Sequence, residues 1–373
     1  MQNKKLYVVA LIVLIIIVGV SISKNSANSQ VIKIGYFGPF TGPVAGDTGA
    51  DVANGFRLAA AQNNTIDGKK VQVIYEDDAC DPQKAAAAAN KLISVDKVKI
   101  LVSGVCSGST LAAAPIAEQN KVILLTPIST SPKITDAGDY VFRTSASSVQ
   151  TAKAVSALIE KLGFTKVAIL FENADYTVGW KDAFIAKYTE NSQNAIVASE
   201  GVNSKDTDVK TQILKLVQAK PQALVYVLNS AVTGLNSIKQ TRDLKVSLPI
   251  IGDEYFSVNS IVQNPVAEGV YGTVYKYDSN SPALKNLLAQ YRSTYHAAPS
   301  TEIYPAMGYD GYNVLFNALS QCKSDNPDCV KNELYKVSSY QGVSGVITID
   351  SNGDTAREFT LKQIHNGAMI DVQ

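Results

Sequence analysis

Short runs of β-branched, apolar residues alternate with longer helix-like stretches along almost all of this 373-residue chain, and that alternation limits the fold more than any other feature. Strand-like segments fall at residues 32–37, 71–76, 100–103 and 122–125. Between them lie "DVANGFRLAAAQNN", "DPQKAAAAANKLISV" and "STLAAAPIAEQN". Asp81-Pro82 is a strong helix start, because the carboxylate accepts from first-turn N–H groups and proline has no N–H to leave unbonded there. After "YVFRTSASS" the series begins again, with "VQTAKAVSALIEKLG", "KVAILFEN", "GWKDAFIAKYTEN", "NAIVASEGVN", "DVKTQILKLVQAK", "ALVYVLNS", "TGLNSIKQTRDLK" and "LPIIGDE" in turn. Two doubly wound α/β units are therefore predicted. Each is a parallel sheet covered by helices on both faces, with ligands gathering beyond the carboxyl ends of the strands.

From Ala267 the pattern changes to "AEGVYGTVYKYD", then two longer helices at 281–295 and 303–321, then a hairpin-like "GVSGVITIDSNGDTAREFTLKQI" turning at Asn352-Gly353. This tail is read as returning to complete both units across a hinge. Residues 31–147 with 277–355 then form one lobe, and 148–276 with 356–373 the other.

Residues 1–30 stand apart. Two lysines in the first five residues precede an apolar run from 6 to 22, the layout of an export signal. Ser21, Ser23 and Ala27 permit cleavage, and the run is also near the roughly 20 residues that span a bilayer, so a retained membrane anchor is the alternative. In both cases the folded part is expected outside the cytoplasm, touching a membrane through this segment alone. No cysteine follows the apolar run to carry a lipid.

The 34 Lys and Arg against 33 Asp and Glu give a net charge of +1, which argues against a nucleic-acid partner and for a small or neutral ligand. Eighteen tyrosines against one tryptophan supply rings with polar tips, as a binding cleft needs. Nucleotide and metal cofactors find no support. There is no G-x-x-x-x-G-K-[ST], the glycines of "GYFGPFTGPVAGDTG" lack the dinucleotide spacing, and His296 and His365 are the only histidines. Those glycines are read as letting the first loop approach a ligand or the opposite lobe. Glu76-Asp77-Asp78 is read as a solvated, capping cluster.

"KILVSGVCSGSTLAAAP" admits two readings. Strand, sharp turn and helix are the layout of a hydrolase nucleophile elbow, with Cys106 as nucleophile and His365 as base. The same layout describes a loop whose N–H groups and Ser107, Ser109 and Thr110 hydroxyls hold an anion, or a helix that Ser107 simply caps. Cys80 and Cys106 each follow a strand-like segment, which places both at one edge of neighbouring parallel strands, where a bridge would leave no thiolate. Cys322 and Cys329 flank a turn-rich "KSDNPD", where a second, local bridge is natural. The "LLTPISTSP" loop reaches the same sheet edge as the Cys106 loop.

"YEDDACDPQKAAAAANKLI", "CSGST", "ILLTPISTSPKIT", "FRTSASS" and "IIGDE", in this order and spacing, resemble the exported leucine/isoleucine/valine-binding proteins that serve branched-chain amino-acid ABC transporters. The resemblance runs from about Val31 to the C-terminus. It implies the type I periplasmic-binding-protein fold, two α/β lobes joined by a three-stranded hinge and closing on a free amino acid, branched-chain or otherwise small or aliphatic, for delivery to an ABC permease, with no enzymatic step. It also implies a Cys80–Cys106 bridge. Ser107 and Thr130 would hold the ligand carboxylate and share in the ammonium contacts, with the Ile128 carbonyl as a further ammonium acceptor. Glu254 would pair with the ammonium, and Tyr176 would reach the ligand on closure. Two positions depart from the family: Ser230 stands where a second-lobe tyrosine is expected and Thr48 where a first-loop aromatic is expected, which makes the side-chain pocket larger or wetter. Tyr304 would compensate as an apolar wall. The alternative role is a sensor or receptor domain of the same fold for another small molecule, displayed on the retained anchor.

Overall fold

The computed structural model describes residues 31–204 and 206–372; the signal or anchor expected at 1–30 lies outside them. No helix among the described residues is long and apolar enough to cross a membrane. The first lobe is built on strands β1 (Ile32–Gly38), β2 (Thr65–Ile66), β3 (Lys69–Asp77), β4 (Ile100–Ser103), β5 (Ile123–Thr126) and β6 (Val141–Arg143), in spatial order β2-β3-β1-β4-β5-β6. All pairs are parallel except β2 with β3, and Ile34 stands in register with Val73 on one side and Ile100 on the other. Helices α1 (Ala50–Gln62), α2 (Pro82–Ser94) and α3 (Ser107–Asn120) make the crossovers. Because β1 lies between β3 and β4, the chain winds away from it in both directions and leaves a crevice at its carboxyl end. Both faces are covered: Ile34 and Tyr36 pack with Phe56 and Tyr312, while Phe37 packs with Ala89 and Leu101 on the other side. This explains why the strands read as unbroken apolar runs.

The second lobe repeats the plan with β7 (Lys166–Glu172), β8 (Ala195–Val202), β9 (Ala223–Val227), β10 (Ile250–Gly252) and β11 (Tyr271–Tyr275). Helices α4 (Ser148–Lys161), α5 (Asp175–Tyr188), α6 (Lys210–Gln218) and α7 (Ala231–Asp243) cover it. On the buried face of α5, Trp180, Phe184 and Tyr188 stack at spacings of four residues, 5.3 Å between successive rings. The chain then returns to the first lobe through α8 (Pro282–Tyr295), α9 (Ile303–Cys322), α10 (Pro327–Leu334) and the small pair β12 (Tyr340–Gly342) and β13 (Gly345–Ile347). The Cys322–Cys329 disulfide joins the end of α9 to α10. Finally β14 (Phe359–His365) and β15 (Ala368–Asp371) complete the second sheet, in order β15-β14-β11-β10-β9-β7-β8.

Three crossings of the chain, after β6, after β11 and before β14, connect the sheets, and two arginines, the buried Arg143 and the partly buried Arg357, bind them together. Arg143 Nε lies 2.6 Å from Asp354 Oδ1, and its Nη1 donates to the Ser131 carbonyl at 3.0 Å. Arg357 Nη2 donates to the Thr144 carbonyl at 3.1 Å and its Nη1 to the Ser344 carbonyl at 3.0 Å. Lys276 N donates to the Glu358 carbonyl at 2.8 Å, which joins the second crossing to the third.

Two local expectations are corrected. The hairpin about Asn352-Gly353 shrinks to a single bridge, Ile349 to Thr355. Asp354 is drawn to Arg143 and the Thr355 hydroxyl to the Arg143 carbonyl, so the chain leaves for the second lobe instead of pairing back. The tight hairpin forms at Asn366-Gly367, both at positive φ, between β14 and β15. The strands preceding Cys80 and Cys106 are not neighbours either, since β1 lies between them. The two cysteines meet because both loops fold over the end of β1.

Helices α1 and α9 cross where Gly55 and Gly308 face each other's backbone: a Cβ at Gly308 would collide with the Val52 carbonyl, and one at Gly55 with the Pro305 carbonyl. Neither obstacle is a flexible side chain. Gly308→Val is therefore expected to destabilise the protein by about 1–3 kcal/mol, read as a lower urea midpoint. An unchanged midpoint would show that the helices part freely.

Candidate functional site

A cavity of about 490 Å³ lies between the lobes, lined by the loops at the carboxyl ends of both sheets. Val44 and Thr48 follow β1, Val105, Cys106 and Ser107 follow β4, and Ile128 and Thr130 follow β5. From the second lobe come Tyr176, Asn229, Glu254, Tyr255 and Tyr275, with Tyr304 from the start of α9. Among the described residues no Lys or Arg lines it. Among the described residues no three His, Cys, Asp or Glu side chains gather as metal ligands.

The first-lobe wall is rich in donors. Helix α3 begins after Cys106, which gives no side-chain cap, and Ser107 does not cap it: the Ser107 hydroxyl accepts from Ser131 N at 3.2 Å. The first-turn N–H groups are thus open to an anion, where the helix dipole favours negative charge. Thr130 is held from behind, its carbonyl accepting from Ser148 N at 2.7 Å and its Oγ1 from Ser148 Oγ at 2.9 Å, so its own hydroxyl proton is free to donate. Buried hydroxyls of Ser103, Thr110 and Ser129 join in a chain at 2.7 Å per link and fix the two loops to each other. The Cys80–Cys106 disulfide closes the same corner. Asp78 is buried here, not solvated: it accepts from the N–H of Cys80, whose φ is positive.

The second-lobe wall carries two adjacent buried carboxylates. Asp253 accepts from Tyr176 Oη at 2.9 Å and Tyr255 N at 3.0 Å, and burial followed by the neighbouring Glu254 charge holds it well above the usual carboxylate range. Glu254 begins the short turn that follows, and its Oε2 makes no well-formed hydrogen bond to any described residue, although the Tyr176, Thr151 and Trp180 side chains stand close to the carboxylate. Burial pushes Glu254 up to about 7. A buried carboxylate without a cation raises the free energy of the empty site, so the arrangement favours a ligand that brings positive charge.

Of the eight residues singled out for binding, Thr48, Ser107, Ile128, Thr130, Tyr176, Glu254 and Tyr304 line this cavity. Ser230 does not. Its hydroxyl accepts from Thr233 N at 3.1 Å and caps α7, and it faces an adjoining outer cleft of about 890 Å³. Reading from sequence missed Val44, Val105, Asn229, Tyr255 and Tyr275. Asn229 and Tyr255 are the immediate neighbours of residues that were singled out, and the end of β11 gave the signal for Tyr275. The elbow reading is overturned, because Cys106 is bonded to Cys80, and His365 sits exposed on β14 with its Nδ1 2.7 Å from Glu268.

The lobes touch beside the cavity. Lys133 Nζ lies 3.8 Å from Asp175 Oδ1, and a Cβ at Gly179 of α5 would stand 2.9 Å from Pro132 Cδ and 3.1 Å from Ser131 Oγ across the gap.

Comparison with known proteins agrees with this architecture. The family model described as "Periplasmic binding protein" matches residues 31–368. A leucine-, isoleucine-, valine-, threonine- and alanine-binding protein of Pseudomonas aeruginosa is 28% identical over 351 residues, 92% of each chain. A leucine binding protein from Thermotoga maritima superposes with a TM-score of 0.82 at 27% identity, covering 91% of this chain and 97% of that one. A branched-chain amino acid transporter substrate binding protein from Streptococcus pneumoniae, solved in complex with isoleucine, gives 0.80 at 27% identity over 91% and 98%.

The Glu254 environment has a measurable cost. In the folded, empty protein its carboxyl titrates near 7, above the ordinary 4.5, so stability is lost as pH rises through that window, by about 1.4 kcal/mol per pH unit. Glu254→Gln is expected to raise the melting temperature of the ligand-free protein at pH 8 and to leave it nearly unchanged at pH 5. An equal effect at both would show that the carboxylate is not strained.

Proposed function

The chain belongs to the periplasmic binding protein family, and on that premise we propose that it captures a free amino acid between its lobes outside the cytoplasm and delivers it to an ABC permease. The observation that carries this reading is the buried Glu254 carboxylate, with no cation among the cavity-lining residues described and one oxygen without a well-formed hydrogen bond, facing a donor-rich wall across one cavity. A zwitterion taken out of water needs an anion at one end and N–H or O–H donors at the other. In this proposal the α-carboxylate lies against the start of α3, Ser107 and Thr130, which also share in holding the ammonium. Glu254 takes the ammonium as its charge partner, with the Ile128 carbonyl as a further acceptor. Asp253 does not bind the ligand; it holds Tyr176 in place at the rim. The moving units are residues 31–147 with 277–355 and 148–276 with 356–373, and ligand binding biases them toward the closed arrangement.

A thermal-shift screen of the ligand-free protein against the common amino acids, followed by calorimetry on each hit, tests the proposal, since a ligand bound only by the folded state raises the melting temperature. Glu254→Gln is expected to weaken the best ligand by roughly 2–5 kcal/mol. In the wild type, affinity is expected to fall as the pH drops below about 7, where the empty site takes up a proton that the ammonium must displace. Affinity unchanged in the variant would remove Glu254 from the site.

Closure has its own test. Gly179→Val places a side chain against Pro132 across the lobe contact, so ligand affinity is expected to fall about tenfold or more with an unchanged ligand-free melting temperature. Wild-type affinity would show that the lobes close elsewhere.

A further inference from the structure

Glu254 and the start of α3 account for the two ends of an amino-acid backbone but not for the other polar groups of the cavity. Thr48 Oγ1 and Tyr255 Oη are buried, line the cavity and make no well-formed hydrogen bond to any described residue, although the two side chains stand close together. Asp47 lies beside the Tyr255 hydroxyl. Tyr275 and Tyr304 line the same space, and each carries a further hydroxyl. A pocket shaped for an aliphatic side chain has no use for these groups, because each hydroxyl it covers without replacing its hydrogen bond weakens binding.

Resting on the amino-acid reading above, we propose that the occupant is a neutral amino acid whose side chain itself hydrogen-bonds, through a hydroxyl or a carboxamide, and that Thr48 and Tyr255 determine that specificity. Thr48 comes from the first lobe and Tyr255 from the second, so the side chain is read only when the lobes are together. A site that hydrogen-bonds a ligand group discriminates strongly against the isostere lacking it, whereas an apolar pocket barely notices the difference. The alternative for the same two residues is a closing contact, in which they hold lobe to lobe whatever the ligand.

Isosteric pairs separate the two. The full chain, purified in mild detergent and stripped of carried-over ligand by partial unfolding and dialysis, is titrated calorimetrically with threonine against valine and with asparagine against leucine. The polar member of at least one pair is expected to bind about tenfold tighter or more. Thr48→Val and Tyr255→Phe are expected to shrink that ratio toward one while leaving the aliphatic member nearly unaffected; variants that weaken both members equally would overturn the specificity role in favour of the closing contact. Valine or leucine binding as tightly as its polar isostere overturns the proposal and leaves the amino-acid reading standing. No heat with any amino acid overturns both.

Discussion

A carboxylate buried without a cation is the constraint from which the rest of the site follows. Glu254 is held in the interior by the short turn after β10, next to a second buried acid. The two are treated differently by their surroundings. Asp253 spends both oxygens on the protein, on Tyr176 and on the N–H of Tyr255. Glu254 keeps one oxygen without a well-formed hydrogen bond to any described residue. The first residue is therefore structural and the second is left open to the cavity, although they share a peptide bond. An unpaired charge at this depth lowers stability, and the fold tolerates it because the loss is confined to one group inside a large apolar frame.

The frame itself is ordinary doubly wound architecture, and its crevices put loops from both sheets face to face. The connection between lobes is less ordinary. Arg143 binds the Ser131 carbonyl, in the loop that carries Thr130, and at the same time Asp354 on the third crossing. Arg357, on that crossing, binds the Thr144 carbonyl on the first. The cavity wall and the interlobe strands are thus parts of one hydrogen-bonded body. The arrangement gives any bending of the crossings a direct path to the cavity loop.

Much of this was legible in the sequence. The strands and helices announce themselves because their faces are buried on both sides and their periodicity is not diluted by function. The loops carrying Ser107 and Thr130 are legible because each follows a readable strand, whereas Glu254 is marked only by the family resemblance. The failures have different causes, one a tertiary partner distant in sequence and the others local. Asn352-Gly353 has hairpin chemistry, yet Arg143, more than 200 residues earlier, claims its neighbour Asp354. Asp78 reads as one of three surface acids and is buried by the fold of its own loop. Ser230 is expected at the cavity from the family resemblance, but its hydroxyl is occupied by its own helix. Tyr255 escaped notice because its neighbour carried the charge.

The Cys80–Cys106 disulfide has a kinetic meaning. It staples two loops of the same lobe, and with the Ser103, Thr110 and Ser129 hydroxyl chain it makes the donor wall rigid whether or not the second lobe is near. Among the described residues the carboxylate wall has no comparable covalent tether, and in the closure proposed above it is the part that moves. On the proposed function, an arriving ligand would meet a finished landing platform on one side and a gate on the other. On this division of labour the arrival rate belongs to the first lobe and the residence time to the second, so changes at one wall should alter how often molecules are caught and changes at the other how long they stay.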